Sequence, residues 1–334
     1  MPEISVLTSV YNCEDYLGEF LESILNQTFK DFELVIINDG STDKSREIIE
    51  SYKDKRIRLF NFDKNQGIPK ALNFGIDKCN GKYIAKADAD DIYRMDRLEK
   101  QKKMLDEHPE ISVVGSQVEY FPHDEDAESG LKFISKKMYF EKQINSIIDT
   151  VDIKEKMYMF LCLIHSVMMI RNTVLKNNLY DEDYLRLGED YKLLYDLNKQ
   201  SYNMYNIPEK LGHIRIRKES TSVLNKDALF EAFFNIKKEE VVKMFDKPVY
   251  IWGASNYGIG LKNVMQKNGF KINGFIDNDK NKIGNNLDGL TIYSPNILGK
   301  KREKVISASD PGRFEIVDYL KKLGYEHLKD FVVF

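Results

Sequence analysis

The chain has 334 residues, with 50 Lys and Arg against 53 Asp and Glu and a formal net charge of −3. That near-balance excludes a protein that holds nucleic acid by bulk charge, which carries a basic surplus. Hydrophobic residues at 42% and charged residues at 31% exclude disorder. Three widely spaced cysteines without a CxxC give neither a zinc ribbon nor a disulfide framework. The longest nearly apolar run, Met157 to Ile170, is 14 residues, too short to span a bilayer. The start, Met1 to Asn12, lacks the basic residues and apolar run of a signal peptide. The cytoplasm is therefore the expected location, with peripheral attachment at the inner face of a membrane left open.

Along the chain two periods alternate. Ile4–Ser9 reads as a buried strand, and Glu14–Gln27 places Leu17, Phe20, Leu21 and Ile24 at helical spacing. Glu33–Asn38 is a second strand, Asp43–Tyr52 a helix, Arg56–Asn61 a third strand and Pro69–Cys79 a helix that tolerates proline near its start. Lys82–Ala87 is a fourth strand, Arg94–Glu107 a helix and Ile111–Tyr120 a strand. Strands alternating with helices predict a mostly parallel sheet covered on both faces. Residues 121–150 read as less regular and open on an acidic loop, His123 to Asp126. Residues 157–200 read as a strand followed by helices. Asp227–Phe245 reads as one amphipathic helix with Phe230, Phe234, Val241 and Phe245 on a stripe. After Pro248 a smaller α/β unit begins, so the expected division is 1–222, a linker helix at 223–247, and 248–334.

The strongest chemical signal is Asp88-Ala89-Asp90-Asp91, directly after a strand. Carboxylates one residue apart at a strand end can share a divalent cation, and hard oxygen ligands suit Mg²⁺ or Mn²⁺. The alternative is a solvated turn capping the next helix. Two other segments follow strands, Thr8 to Asn12 and Asn38 to Asp43. In open α/β sheets, ligands bind at such carboxyl ends. Tyr11 suits stacking on a base, Asp39 suits accepting a hydrogen bond from a base N–H, and Gly40 suits a tight turn.

The series TSVYN, Gln27-Thr28, NDGSTD, Asn65-Gln66-Gly67, Ala71 to Gly75 and DADD strongly resembles the family 2 glycosyltransferases of the GT-A fold. His165 to Arg171, Gly188-Glu189-Asp190-Tyr191 and His213 to Ser222 continue the resemblance to about residue 222. It implies an inverting, metal-dependent transfer from a nucleotide-sugar, with UDP the expected nucleotide. By position, Thr8, Tyr11 and Asp39 hold the base, Asp88 approaches the ribose or the metal, Asp90 is the principal metal ligand, and Asp190 is the general base. Asn12, Asn65, Lys70, Ala89 and His165 complete the nucleotide-sugar set, and His213 is a further candidate metal ligand. Lys70 and Arg94 are the preferred phosphate contacts among four nearby cations, with Lys64 and Arg97 as the others. Asn38 departs from the aspartate common at its position. The Gln-x-x-Arg-Trp motif of processive members is missing. The chemistry agrees, because a diphosphate leaving group needs a metal and one base, whereas a glycosidase needs two carboxylates facing across the bond. The expected acceptor is a sugar, lipid-linked or protein glycan in surface-glycan assembly, and a homo-oligomer stays open.

In the last 87 residues, Gly253 to Gly258 resembles a Rossmann GxGxxG with Ser255 at the second glycine, and Asp277 lies 24 residues beyond Gly253. The segment also resembles the nucleotide-sugar-binding part of bacterial sugar acyltransferases. Three readings stand: a structural or oligomerisation domain, a second nucleotide site built on Gly253, Ser255, Gly258 and Asp277, or a dinucleotide redox site. The last would make the protein an oxidoreductase or sensor.

Overall fold

Short apolar runs become strands where both sheet faces are covered, and this is how the first unit is assembled. β1 (Ile4–Val10), β2 (Phe32–Asn38), β3 (Ile57–Asn61) and β4 (Tyr83–Lys86) pair in parallel in the order β3-β2-β1-β4. Helices α1 (Leu17–Leu25), α2 (Ser45–Ser51) and α3 (Ile68–Lys78) make the crossovers. α1 buries Leu17, Phe20, Leu21 and Ile24 against Ile4, Val6, Leu34 and Ile36 of the sheet. The computed structural model from which these elements are taken describes residues 1–123, 131–184, 187–216, 226–299, 303–309 and 311–334.

Beyond β4 the sheet becomes mixed. β5 (Ile92–Tyr93), helix α4 (Arg97–Glu107), β6 (Ile111–Pro122), β7 (Met169–Arg171) and β8 (Asn203–Ile216) complete the order β3-β2-β1-β4-β7-β6-β8-β5. β7 runs antiparallel to β4 and β6, β5 antiparallel to β8, and β6 parallel to β8. α4 starts at Arg97, not Arg94, because the residues before it cross to pair with β8.

The stretch read as irregular holds α5 (Leu131–Asn145) and α6 (Thr150–Lys156), while residues 124–126 of the acidic loop lie outside the described residues. β7 reaches β6 only at Val113 and Val114. α5 covers the edge beyond. Asn145 accepts the Val118 N–H through Oδ1 (2.9 Å) and donates to the Val118 carbonyl through Nδ2 (2.8 Å), and Glu141 accepts the Tyr120 N–H (2.7 Å). The segment read as a strand before 200 is mostly a 3-10 turn, His165–Val167, with β7 three residues long, then α7 (Asn172–Asn177) and α8 (Glu189–Lys199).

The chain divides into two units, Met1–Met157 with Leu161–Val223, and Tyr158–Phe160 with Leu224–Phe334. In the second unit the expected single helix is two, α9 (Lys226–Ile236) and α10 (Lys238–Val242). The break falls at Lys237, whose buried ammonium donates to the carbonyls of Met159 (3.1 Å) and Val333 (2.6 Å). Phe230, Phe234 and Val241 join Ile251, Leu261 and Phe275 in that unit's core. β9 (Val249–Trp252), α11 (Asn256–Lys267), β10 (Gly274–Ile276), β11 (Asn286–Leu287), β12 (Leu290–Tyr293), β13 (Lys304–Ser307), α12 (Arg313–Lys322) and β14 (Phe331–Val333) form a sheet ordered β11-β12-β10-β9-β13-β14. All its pairs are parallel except the β11–β12 hairpin.

Candidate active site

The loops after β1, β2 and β3 brace one another. Thr8 is buried within β1, while Tyr11, just beyond the strand, keeps 48% of its surface exposed. Asn12 adopts φ +50°, its N–H donates to Ser41 Oγ (3.1 Å), and its Oδ1 accepts the Thr42 N–H (2.9 Å). Asp39 is buried, and its carboxylate takes the N–H groups of Gln66 (2.7 Å) and Gly67 (3.0 Å). Gly40 has φ +72°, and a Cβ there would stand 2.6 Å from the Asn65 nitrogen, so the strap 64–67 lies directly over it. Asn65 and Tyr11 are exposed on this braced wall, and Lys70 is exposed in the first turn of α3. Arg94 does not join them. Its guanidinium is held by Asp96 (2.9 Å to Oδ2) and Glu209 (2.6 Å).

At the end of β4 the side chains alternate. Ala89 and Asp91 are buried, and Asp88 and Asp90 are partly exposed. Lys86, only 2% exposed, places its ammonium on Asp88 and on the Ala87 carbonyl (2.8 Å). Asp91 accepts the Arg215 N–H (2.9 Å) and bonds Ser166, and Arg215 Nε donates to the Asp90 carbonyl (2.8 Å). Burial, then Asp90 and Asp88, push the Asp91 carboxyl well above the usual range. Arg97, one of the four cations weighed for phosphate contact, is fully buried. It donates to the Lys86 carbonyl (2.6 Å) and lies over the Tyr93 ring at 4.4 Å, and burial lowers it to about 10.

α8 brings the second acidic pair. Gly188 (φ +87°) turns the chain into the helix, and Asp190 Oδ1 accepts the Tyr191 N–H (2.6 Å). Burial raises the Asp190 carboxyl; Asp88 adds to this and Lys86 opposes it. Burial lifts Glu189 to about 8, with Asp190 and Asp88 contributing. Lys86 at the end of β4 and Asp88 just beyond it are therefore near enough to Glu189 and Asp190 of α8 for their charges to act on one another. His165 sits beside Lys86 and Asp88, driven down to about 3 by burial and by Lys86, and is neutral at physiological pH. Its Nε2 is 2.6 Å from the Tyr180 hydroxyl.

The chemistry of this donor set fits a hard divalent cation. Asp88 and Asp90 present carboxylate oxygens one residue apart, and Mg²⁺ or Mn²⁺ takes the rest of its shell from water and phosphate. His213 pairs with Ile92, two residues beyond Asp90, across β5 and β8, and its Nδ1 is 3.6 Å from Glu119. Among the described residues no group of three or more His, Cys, Asp or Glu forms a metal shell.

In the second unit Ser255 caps α11, its Oγ accepting the Gly258 N–H (3.5 Å), and a Cβ at Gly258 would collide with the Gly253 carbonyl. The Asp277 carboxylate takes the N–H groups of Ala254 (3.1 Å) and Asp279 (2.9 Å) and the Lys282 ammonium (3.0 Å).

Sequence reasoning missed Lys86, Arg215 and Tyr180 as parts of the site. Lys86 had a legible signal, a charge inside a run otherwise suited to burial.

The family model for glycosyl transferase family 2 matches residues 5–177, and that for C2185-like, N-terminal, matches 245–330. An uncharacterized glycosyltransferase of Methanocaldococcus jannaschii is 33% identical over 273 residues, covering 77% of this chain and 87% of that protein. The structure of S. aureus TarS in complex with UDP-GlcNAc superposes with a TM-score of 0.57 at 20% identity, covering 72% of this chain and 67% of that one. A mannosyltransferase from Pyrobaculum calidifontis in complex with GDP-Man and Mn²⁺ superposes with a TM-score of 0.54 at 16% identity, over 72% and 64% of the two chains. At these identities the structural likeness shows the fold, which is GT-A for the first unit.

Proposed function

Since the chain belongs to glycosyl transferase family 2, and is a glycosyltransferase, we propose that it moves a sugar from a nucleotide-diphosphate donor, most simply a UDP-sugar, to an acceptor hydroxyl with inversion. The supporting observation is that Asp88 and Asp190, brought from the end of β4 and from α8, stand close enough for the Asp88 charge to act on the Asp190 carboxyl. The UDP-GlcNAc held by the TarS neighbour supports a uridine donor.

In this reading the braced wall takes the base, with Tyr11 stacking on it and Thr8, Asn12, Asp39 and Asn65 shaping its polar edge. Lys70 stands near the phosphates. Asp90, with Asp88 beside it, would hold Mn²⁺ or Mg²⁺, which when bound offsets the charge of the departing diphosphate. Asp190 takes the proton of the acceptor hydroxyl. Its raised affinity for protons makes it a better base, and the Tyr191 N–H fixes its orientation. A single displacement from the face opposite the diphosphate inverts the anomeric centre. The acceptor class is a sugar, lipid-linked or protein glycan.

The test is release of UDP or GDP from UDP-Glc, UDP-Gal, UDP-GlcNAc, UDP-GalNAc and GDP-Man in the presence of Mn²⁺. Asp190→Asn should lower turnover by about 10²–10⁴-fold with donor affinity retained. Asp90→Asn should lose the Mn²⁺ dependence of donor binding. Wild-type turnover in Asp190→Asn removes that residue from the role.

A further inference from the structure

His165, already a candidate for the nucleotide-sugar set, has a buried partner, Tyr180, that no motif singled out. Tyr180 follows α7 and its side chain is almost wholly buried. Its hydroxyl oxygen is 2.6 Å from His165 Nε2, with the two rings edge to face at 5.4 Å. The main chain of Tyr180 is clamped from α3, because Asn73 Oδ1 accepts its N–H (2.9 Å) and Asn73 Nδ2 donates to its carbonyl (2.9 Å). Burial, then the charges of Glu189, Asp190 and Asp88, hold the phenol well above its ordinary range, so it remains protonated. Assigning the hydroxyl as donor to Nε2 places the imidazole proton on Nδ1.

The placement has a consequence for the donor. With the diphosphate at Asp88 and Asp90 and the acceptor proton at Asp190, the sugar ring must lie between them. His165 is tied to the end of β4, because its carbonyl accepts the Met168 N–H (3.2 Å) and the Met168 carbonyl accepts the Lys86 N–H (2.9 Å), so the pair is fixed beside Lys86 and Asp88 before any ligand arrives. We propose that the Tyr180–His165 pair is the floor of the donor-sugar subsite and that Tyr180 is a specificity-determining residue for the sugar. This inference rests on the nucleotide-sugar reading above. A rigid hydroxyl–imidazole pair discriminates by hydrogen bonding to a sugar substituent, which rejects a wrong epimer more strongly than an apolar floor would.

The experiment is calorimetric titration of wild type and Tyr180→Phe with UDP and with the five nucleotide-sugars, in Mn²⁺. Tyr180→Phe should bind UDP within about twofold of wild type. It should lose about tenfold for the preferred nucleotide-sugar, one charge-free hydrogen bond's worth, and narrow the gap to that sugar's epimer. Should this variant not fold, His165→Asn tests the other half of the pair with the same expected losses. Unchanged affinity for the preferred nucleotide-sugar overturns the inference and leaves the donor reading standing. Equal weakening of UDP and nucleotide-sugar also overturns it, since that pattern marks a structural role. A wild type that binds neither UDP nor any nucleotide-sugar overturns both.

Discussion

Glu189 sits in an environment far from what its type suggests. A carboxyl raised to about 8 in the folded chain from an ordinary 4.5 binds its proton more tightly folded than unfolded. Its contribution to stability is fully present below pH 4.5 and is lost as pH rises through about 8. Glutamine at 189 mimics the protonated acid at every pH. Glu189→Gln should therefore match wild type in Tm near pH 5 and exceed it at pH 8.5 by about 2–4 °C, on the order of 1 kcal/mol. Parallel Tm–pH curves for the two proteins would contradict the assignment. Residues such as Asp90 and Asp190 were legible because their motifs are short and ordered along the chain. Lys86 was passed over although it stands as a charge in an otherwise apolar run, because alternation along a strand sends charged residues to solvent by default. Here the charge turns inward, and the burial of the ammonium is offset by Asp88 and a backbone carbonyl.

Among the elements, the braced loops decide whether the nucleotide wall exists. Asp39 holds the strap 66–67, and Gly40 lets the strap cross at van der Waals distance. Gly40→Ala imposes a side chain on φ +72° and drives its Cβ into the backbone of Lys64 and Asn65. The expected cost is roughly 2–3 kcal/mol in urea unfolding, with UDP binding weakened as the strap shifts. An unchanged midpoint with unchanged UDP affinity would show that the strap yields without cost. β1 to β4 were readable because each apolar run is followed by a helix with its own stripe. α5 was not, since it meets β6 through Asn145 and Glu141 rather than through an apolar stripe alone. β5 escaped because two residues carry no period at all. The Asp227–Phe245 stripe was real, but its period says nothing of Lys237, whose ammonium serves carbonyls at the break.

At the scale of the whole molecule, the two units carry separate cores, and their loops at the strand ends are in different condition. In the first unit the site gathers carboxylates that burial and mutual repulsion hold away from their ordinary acidity. Such a site gains from a bound cation and an anionic ligand, which the net charge of −3 does not prevent because the contacts are local. In the second unit, the groups a dinucleotide would recruit are already engaged. Ser255 supplies a side chain where the pyrophosphate needs bare backbone, and Asp277, the ribose acid of the Rossmann pattern, is committed to Ala254, Asp279 and Lys282. Chains with two such units depart from a single unfolding transition. Calorimetry should therefore resolve two. UDP with Mn²⁺ at about 100 times its Kd should raise one of them by roughly 5–10 °C, because ligand binding to the native state adds about 2.7 kcal/mol to that unit. NAD at the same molar concentration should move neither. Proteolytic fragments recovered between the two transitions assign each to its unit. A NAD shift of the transition belonging to residues 224–334 would show that Asp277 exchanges its internal partners for a ribose, and would give the second unit a ligand of its own.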